Sequence, residues 1–374
     1  MPDLLSRLSL LGIGGHLEPA RPLGRSASVT VVIPVYNYGR YLRQCVASVT
    51  EHQPGVDVEI IIVDDKSTDD SLDIAQALAS KDARIKIIQH HTNKRAIATY
   101  NDGLEAATGE FVALLSADDL LTPGALTRAA ALLLAKSSVG MVYGHAIRFS
   151  SELPSPRTTG TEWIVWPGAD WLRTRCRSGF NVISSPEVVM RTSILRAIGG
   201  YRPDLPHAGD FEMWLRTAAV SDIGFLVGVD QAYYRDHAVN MNKEMFKSGT
   251  AQGKLIDLKQ RWQSFEAVFS GAGRDLPEKE SLIRTARRTV ARHALDHANY
   301  AYARGFHDFP IDEYERFAYE IDADAQNTRA GRALARRKRL GMTSLPLHPL
   351  WAPSAAALRF SELVRRWRRR KIGV

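Results

Sequence analysis

Two adjacent carboxylates, Asp118 and Asp119, directly follow a short apolar run in this sequence of 374 residues. The run at 111–115 has the unbroken hydrophobicity of a strand that is buried on both faces of a sheet. Because neighbouring carboxylates repel each other, a pair at the end of a buried strand indicates a bound cation. A turn and cap before the helix expected near Pro123 would explain the same residues without any ligand.

A second pair of acids, Asp64 and Asp65, follows the apolar run 59–63 in the same way. The Ser, Thr and Asp residues just after it are typical of a helix start, here for a helix predicted over 72–78. Ligands of open α/β sheets collect at the carboxyl ends of the strands. We therefore expect four carboxylates at one edge of one sheet.

Strands and helices alternate through the first part of the chain. The hydrophobic patterns predict strands over 29–35, 59–63, 85–88, 111–115 and 139–147, with helices between them. This alternation is typical of an α/β fold with a mostly parallel, Rossmann-like sheet flanked by helices. Beyond about residue 245, amphipathic patterns predict a helical C-terminal region, with helices over 256–269, 282–303 and 310–319.

Composition divides the chain into four predicted segments: a loose extension at 1–27, the α/β domain at 28–245, a helical region at 246–340, and a Pro-rich linker with a basic amphipathic tail at 341–374. The net charge is +8, yet residues 327–374 hold 13 Lys and Arg against one acid. The body of the protein is therefore mildly acidic, and the basic tail needs a separate explanation.

Targeting and redox signals are weak. Residues 1–25 have no basic segment followed by an apolar one, so we expect no signal peptide. The most apolar long stretch, 125–142, contains Arg128 and Lys136, which argues against a membrane span. Cys45 and Cys176 are the only cysteines and cannot form a disulfide framework, which favours a reducing cytosol.

Three motifs then come in a characteristic order: Pro-Val-Tyr-Asn at 34–37, Val-Asp-Asp-Lys-Ser-Thr-Asp at 63–69 and Ser-Ala-Asp-Asp at 116–119. Together they resemble the family 2 glycosyltransferases of the GT-A fold, over about residues 28–245. Later segments, at 208–216 and 233–240, resemble further landmarks of the same family. The resemblance implies an inverting enzyme that uses a nucleotide-diphosphate sugar and a divalent metal.

For the metal, the resemblance implies that Asp119 is the ligand and that Asp118 lies nearer the ribose. Hard oxygen donors suit Mn²⁺ or Mg²⁺, and the substrate diphosphate would supply most of the remaining ligands. His237 could add a metal ligand or a phosphate contact. It could equally be a hydrogen-bonded histidine in a polar loop.

For the nucleotide, Asp65 could accept a hydrogen bond from uracil or thymine, or it could cap the helix that follows it. Tyr36, in the turn that begins at Pro34, could stack on the base or pack on the core. The resemblance implies that Arg95 lies near the base or the phosphates. The predicted donor is accordingly a UDP- or dTDP-sugar.

For the general base, Asp210 is the predicted residue, with Glu212 as its rival. Asp210 follows a glycine and opens a helix, which is also a favourable position for an N-cap. A base that works near neutral pH would need its pKa raised by burial or by a neighbouring acid.

The basic tail has three interpretations: a solvated end, a nucleic-acid contact, or an amphipathic helix on an anionic membrane surface. Mixed Trp, Leu and Arg residues favour the membrane, and no nucleic-acid partner is expected. A membrane surface would suit a glycan or lipid-linked acceptor. The sequence thus predicts a cytoplasmic hexosyltransferase, peripheral at the inner face of the membrane if the tail binds it, that builds a cell-surface polysaccharide or its precursor.

Two other functions would use parts of the same pattern. A sugar-nucleotide nucleotidyltransferase would need a Gly-rich, basic loop after the first strand, whereas residues 36–39 contain one glycine. A non-catalytic scaffold would have no need of Asp65, Asp119 and Asp210. The tryptophans at 163, 166 and 171 have two alternative roles: they could form an aromatic surface for an acceptor sugar, or they could be core residues.

Overall fold

The computed structural model describes residues 14–238, 240, 249–306, 308–340, 363–364 and 366–374. Within these ranges the chain forms two compact units. The first contains the residues up to 172, residues 182–237 and residues 370–373. The second contains residues 173–181, 238–369 and 374. The predicted linker, and residues 355–362 of the predicted tail helix, lie outside the described residues.

One ten-stranded sheet forms the centre of the first unit. Its strands are β1 (His16–Pro19), β2 (Ala27–Val35), β3 (Val56–Asp64), β4 (Ile85–Gln89), β5 (Phe111–Leu114), β6 (Leu120–Leu121), β7 (Val139–Phe149), β8 (Glu162–Trp166), β9 (Val188–Arg191) and β10 (Asp222–Arg235). The strand order is β1-β8-β10-β7-β9-β5-β2-β3-β4, and β6 pairs with β10.

Helices flank this sheet. They are α1 (Gly39–Thr50), α2 (Ser71–Ala79), α3 (Ala96–Glu105), α4 (Ala125–Ala135), α5 (Gly168–Ser178), α6 (Thr192–Ile198) and α7 (Gly209–Val220). Residues of β2 and β3 such as Val31, Ile33, Ile60 and Ile62 are fully buried, as expected for strands covered on both faces. The predicted α/β fold with flanking helices is confirmed.

The sheet is mixed, and only part of it is parallel. Strands β4, β3, β2 and β5 run parallel to one another, and so do β7 and β10. Strand β9 lies between β5 and β7 and is antiparallel to both. The carboxyl ends of β2, β3, β5, β7 and β10 consequently meet at one rim, because β9 restores the common direction.

One feature of the first unit differs from expectation, which is the N-terminal extension, and another decides between two alternatives, which is the burial of the tryptophans. The extension predicted to be loose contains β1, which pairs antiparallel with β8 at the edge of the sheet. The three tryptophans of this region are core residues, since Trp163, Trp166 and Trp171 are only 3%, 1% and 0% exposed. They therefore offer no surface for a sugar.

The second unit is helical, as the sequence predicted. Its helices are α8 (Ala251–Ser270), α9 (Lys279–Arg304), α10 (Ile311–Ile321) and α11 (Arg329–Leu340). Its core includes Leu258, Phe265, Leu295 and Tyr314, which are all fully buried. Among the helices of the described ranges, none combines the length and apolarity that crossing a bilayer requires.

Residues 366–372 are helical, and residues 370–373 belong to the first unit. The Tyr143 hydroxyl donates to the carbonyl of Gly373, and His145 Nε2 lies 3.2 Å from the carbonyl oxygen of Arg370. Gly373 has φ +76°, and a Cβ there would lie 2.6 Å from the Phe225 ring. Both the backbone conformation and the contact therefore require glycine.

Candidate active site

The predicted site residues come together along the rim where the parallel strands end. Tyr36 follows β2 and Asp65 follows β3, while Asp118 and Asp119 lie between β5 and β6. His237 follows β10 after one intervening residue. Residues that follow separate strands in the sequence thus lie along the same rim of the sheet.

Three non-glycine residues of this rim have a left-handed backbone. Asn37, Lys66 and Arg95 have φ values of 58°, 62° and 70°. Such conformations cost about 1–3 kcal/mol each and persist only where surrounding contacts hold them. The Asn37 side chain supplies one such contact, because its Oδ1 accepts from the Thr68 amide at 2.7 Å and joins the turns after β2 and β3.

Asp65 is buried and organises the loop that leads into α3. Its carboxylate accepts from the backbone amides of Lys94 at 2.7 Å and Arg95 at 2.9 Å. His90 Nδ1 lies 2.8 Å from the same carboxylate. Asp65 therefore fixes the start of α3 in addition to any contact that it makes with a nucleotide.

Asp64 has no separately predicted role at the site, but one of its two carboxylate oxygens can still accept a hydrogen bond. Its Oδ2 accepts from the Ser67 amide at 3.2 Å, whereas its Oδ1 is buried and has no hydrogen-bond partner among the described residues. A buried, unpaired carboxylate oxygen is costly unless a ligand donates to it. Asp64 is thus a better placed acceptor for a nucleobase than its position in the motif suggested.

The second acid pair sits in a tight turn that begins at Ser116, whose carbonyl accepts from the Asp119 amide at 2.9 Å. Asp119 Oδ1 accepts from the backbone amide of Arg235 at 2.8 Å. Asp118 Oδ2 lies 2.9 Å from His237 Nε2. The end of β10 therefore supports both carboxylates, one through its backbone and the other through His237.

Arg235 is a site residue that the sequence did not single out. Its Nε donates to the Asp118 carbonyl at 2.8 Å, and a terminal nitrogen donates to Gln44 Oε1 at 2.6 Å. The guanidinium also lies 4.6 Å from the centre of the Tyr41 ring. The only signal in the sequence was its place two residues before His237.

Burial and mutual repulsion control the charge of this pair. Burial, with the neighbouring Asp118, raises the pKa of Asp119 well above its ordinary value. Burial, with Asp118 next in importance, raises the pKa of the Tyr38 hydroxyl too. The surroundings therefore favour positive charge beside these carboxylates.

The residues present fit a divalent cation that takes most of its ligands from the substrate. Hard carboxylate oxygens in a buried, mutually repelling pair are the donors that Mn²⁺ or Mg²⁺ prefers. Among the described residues, no group of three or more His, Cys, Asp or Glu side chains is arranged to hold a metal. Asp118, Asp119 and His237 would therefore need diphosphate oxygens to complete the site.

Asp210 lies in the first turn of α7 and is partly buried. Ser185 Oγ donates to Asp210 Oδ2 at 2.6 Å. Burial raises the pKa of Asp210, although Ser185 and the neighbouring Tyr201 act to lower it. This is the direction that a general base near neutral pH requires.

Tyr100 on α3 links Asp210 to the strand-end acids. After burial, the charges of Asp210 and Asp118 are the main causes that raise the pKa of its hydroxyl. Its ring packs edge-on against Tyr201, with ring centres 5.6 Å apart. The hydroxyl is thus within electrostatic reach of both groups of acids.

Glu212, the alternative candidate for the base, is engaged in an ion pair. It is 1% exposed and pairs with Arg216 at 2.8 Å. Arg216 in turn donates to the carbonyls of Gly199 and Gly200. Glu212 therefore holds the loop that follows α6 in place.

The alternative that these acids cap the next helix is wrong for the pair at 64–65, for the pair at 118–119 and for Asp210. The N-cap of α2 is Asp70, that of α4 is Gly124, and that of α7 is Ala208.

The remaining predicted residues line the outer part of the rim. Tyr36 is 47% exposed, Pro34 is half-buried, and Arg95 is exposed as the N-cap of α3.

Two solved structures share this fold. One is S. aureus TarS 1–349 in complex with UDP, with a TM-score of 0.52 and 17% identity over 84% of this chain and 92% of that one. The other is the mannosyltransferase PcManGT from Pyrobaculum calidifontis in complex with GDP-Man and Mn²⁺, with a TM-score of 0.54 and 18% identity over 95% and 91%. The likeness defines the class of the fold, which is that of GT-A glycosyltransferases.

Residues 30–196 match the model of the family described as Glycosyl transferase family 2, and this part of the chain belongs to that family. Glycosyltransferase GlyG from Streptococcus pneumoniae serotype 4 is 35% identical over 96 residues, which are 26% of this chain and 32% of that protein. The chain therefore spans about a third of the length of this curated relative. The family resemblance drawn from the three motifs is confirmed.

Proposed function

We propose that this protein is an inverting, metal-assisted glycosyltransferase of the hexosyltransferase type. It moves a sugar from a nucleoside-diphosphate sugar to a hydroxyl of a glycan or lipid-linked acceptor. The observation that carries the proposal is the strand-end acid pair, which lies in the segment that matches a glycosyltransferase family model and in which Arg235 holds Asp119 and His237 lies 2.9 Å from Asp118. A scaffold would have no use for this arrangement.

For the donor, family membership supports a nucleotide sugar, and the solved neighbours are described with UDP and with GDP-Man. We assign the nucleoside to the rim formed by Pro34, Tyr36, Asp65 and Arg95, with Asp118 towards the ribose. The unpaired Oδ1 of Asp64 adds an acceptor for a base N–H. Uracil and thymine each offer one such donor, at N3, so the proposed UDP- or dTDP-sugar is compatible with this acceptor.

In the transfer step, the acceptor oxygen attacks the anomeric carbon from the face opposite the diphosphate. The new carbon–oxygen bond forms as the bond to the diphosphate oxygen breaks, and its electron pair leaves with the nucleoside diphosphate. Asp210 takes the proton of the acceptor hydroxyl. Single attack from the opposite face inverts the configuration at the anomeric carbon.

Asp119, with His237 and Asp118 beside it, would hold the divalent cation. When bound, Mn²⁺ or Mg²⁺ supplies Lewis-acid stabilisation of the charge that develops on the leaving diphosphate. Arg235 keeps the two carboxylates in place through its backbone amide and its side chain.

For the acceptor, we propose a cell-surface glycan or its lipid-linked precursor, reached from the cytoplasmic face of a membrane. The helical residues near the C-terminus support this proposal, because they expose Leu363, Val364 and Trp367 beside Arg366 and Lys371. Apolar and basic side chains on one exposed segment suit an anionic lipid surface.

The test is a thermal-shift panel with UDP, dTDP, GDP and CDP, each with and without Mn²⁺. At a concentration 100 times its dissociation constant, a ligand adds about 2.7 kcal/mol of stability, which is a shift of several degrees. We expect UDP or dTDP to stabilise the protein only together with Mn²⁺. Asp119→Ala should lose this metal-dependent shift.

The matched control is Asp275→Ala, which removes a carboxylate that is 87% exposed in the second unit. It should keep the full shift. If no nucleotide raises the melting temperature of the unaltered protein, with or without metal, the glycosyltransferase proposal fails and the scaffold interpretation replaces it.

A further inference from the structure

We propose that Ser185 and Tyr201 are positioning residues for the Asp210 carboxylate, and that Asn101 on α3 holds Tyr201 in place for this role. The inference rests on the proposed function, in which Asp210 is the base. It adds a set of residues, from three separate parts of the chain, that determine the orientation and proton affinity of that base.

The first support comes from a short 3-10 turn at Ser185–Glu187, just before β9. Glu187 is 1% exposed, and its Oε1 accepts from the Ser184 amide at 2.8 Å. This contact closes the turn and fixes the backbone of Ser185. The Ser185 hydroxyl is then presented to Asp210 Oδ2 at 2.6 Å.

The second support is Tyr201, which follows the Gly199–Gly200 turn and is 5% exposed. Asn101 holds its backbone at both ends, because Asn101 Nδ2 donates to the Tyr201 carbonyl at 2.8 Å and Asn101 Oδ1 accepts from the Tyr201 amide at 2.7 Å. A Cβ on Gly200 would lie 2.3 Å from Asn101 Oδ1, so glycine is needed for this close approach. From this fixed backbone Tyr201 acts electrostatically on Asp210: it lowers the pKa of the carboxyl, and Asp210 raises the pKa of the Tyr201 hydroxyl.

Ser185 and Tyr201 affect the carboxylate in two ways. The hydrogen bond from Ser185 favours one rotamer of Asp210, which a base must have if it is to meet a hydroxyl within hydrogen-bond reach. Ser185 and Tyr201 both favour the ionised form, and so oppose the rise in pKa that burial causes. The two side chains thus limit how far burial raises the proton affinity of Asp210.

Few other titratable groups face Asp210. His207 would lower the pKa of Asp210 when it is protonated, and Tyr100 and Tyr201 are phenols that stay neutral because their own pKa values are raised. Arg216 is engaged by Glu212 and the turn carbonyls. Ser185 and Tyr201 are therefore the main side chains that tune the pKa of Asp210 and that a substitution can remove.

The test compares Ser185→Ala and Tyr201→Phe with the unaltered enzyme in the release of nucleoside diphosphate. The probes are UDP-glucose, UDP-N-acetylglucosamine and GDP-mannose with Mn²⁺, and water serves as the acceptor. Removing one hydrogen bond to a charged group should move the acidic limb of the kcat–pH profile upward by about one pH unit. The KM for the donor should stay within about twofold, and Ser185→Thr should restore the profile.

The control is Tyr233→Phe, which removes a hydroxyl that donates to the Pro154 carbonyl at 3.1 Å, away from Asp210. It should leave the acidic limb unchanged. If Ser185→Ala and Tyr201→Phe lower kcat equally at every pH, with the limb unmoved, their role is merely structural and the inference is wrong.

A second readout does not depend on activity. Asp210→Asn should stabilise the protein increasingly as pH rises, and the gain should level off above the folded-state pKa of Asp210. In a Ser185→Ala background this plateau should begin at a higher pH. If the unaltered enzyme releases no nucleoside diphosphate, the proposed function fails, while the position of the plateau still decides whether Ser185 tunes Asp210.

Discussion

At the residue scale, the acids of this protein fall into two groups according to their surroundings. The pKa of Asp119 and that of Asp210 are raised, chiefly by burial. Glu59 has a pKa lowered to about 2 by hydrogen bonds from Lys86, Thr30 and Thr108, which outweigh its burial. Hydrogen bonds together outweigh burial at Glu59, whereas burial outweighs the donors that Asp119 and Asp210 also have.

Asp296 on α9 is a raised acid outside the cleft. Burial raises its pKa to about 6. Because the folded-state pKa exceeds the unfolded value, stability falls as pH rises from about 4 to about 6 and is level above that. We expect Asp296→Asn to raise the free energy of unfolding above pH 6 by about 1–3 kcal/mol and to have no effect below pH 4, as measured by denaturant unfolding.

Asp312→Asn serves as the control of opposite sign. A hydrogen bond from Lys338 lowers the pKa of Asp312, so its loss should slightly reduce stability at neutral pH. A gain from Asp296→Asn that is the same at all pH values would mean that packing, and not ionisation, sets the effect.

At the element scale, helix α3 connects the donor rim to the base. Asp65 holds the backbone at the start of this helix, and Asn101 holds the backbone of Tyr201. The charges of Asp210 and Asp118 both act on the hydroxyl of Tyr100, in the middle of the helix. A shift of this helix would move the nucleotide loop and the Asp210 support together. This coupling makes the start of α3 the most informative place to perturb.

We expect Asp65→Asn to loosen the start of α3, because an amide offers one acceptor oxygen where the carboxylate offers two. Hydrogen exchange of the Lys94 and Arg95 amides should become about tenfold faster, which corresponds to the loss of one hydrogen bond of about 1.4 kcal/mol. Asp64→Asn is the matched control, since Asp64 bonds to neither amide. Equal exchange rates in the two variants would show that Asp65 does not hold this loop.

At the scale of the whole molecule, the segment near the C-terminus combines a fixed end with an exposed face. Residues 370–373 are anchored on the first unit by Tyr143 and His145. Just before this anchor, Leu363 is 64% exposed and Trp367 is 46% exposed. Such a segment can bind a surface without any change in the residues that anchor it.

We expect the protein to bind vesicles that contain phosphatidylserine and to bind pure phosphatidylcholine much less. Trp367→Ala should weaken binding about five- to tenfold in a flotation assay, through the loss of one inserted aromatic side chain. Phe306→Ala, which removes an aromatic residue of similar exposure (47%) in the second unit, is the control and should bind as before. Equal affinity for both vesicle types would exclude an electrostatic membrane contact.

The sequence by itself determined the α/β class, the family and the candidate acids. Hydrophobic periodicity and strand-end carboxylates are local signals. Because parallel strands have their carboxyl ends at the same edge of a sheet, these signals also predict that the carboxylates lie along one edge. The same local signals could not decide whether Asp210 or Glu212 is free to act, since both lie in the first turn of α7. They also misjudged β1, because an edge strand of four residues has little periodicity of its own.

Only the tertiary structure decided what each acid contacts. Arg235 reaches Asp119 across 116 residues of chain, and Asn101 holds Tyr201 across 100. Ser185, Tyr201 and Asp210 come from a turn, a loop and a helix that no spacing rule connects. Proton affinity depends on burial and on such distant donors, so the chemistry of these acids is a property of the folded chain and not of the motif.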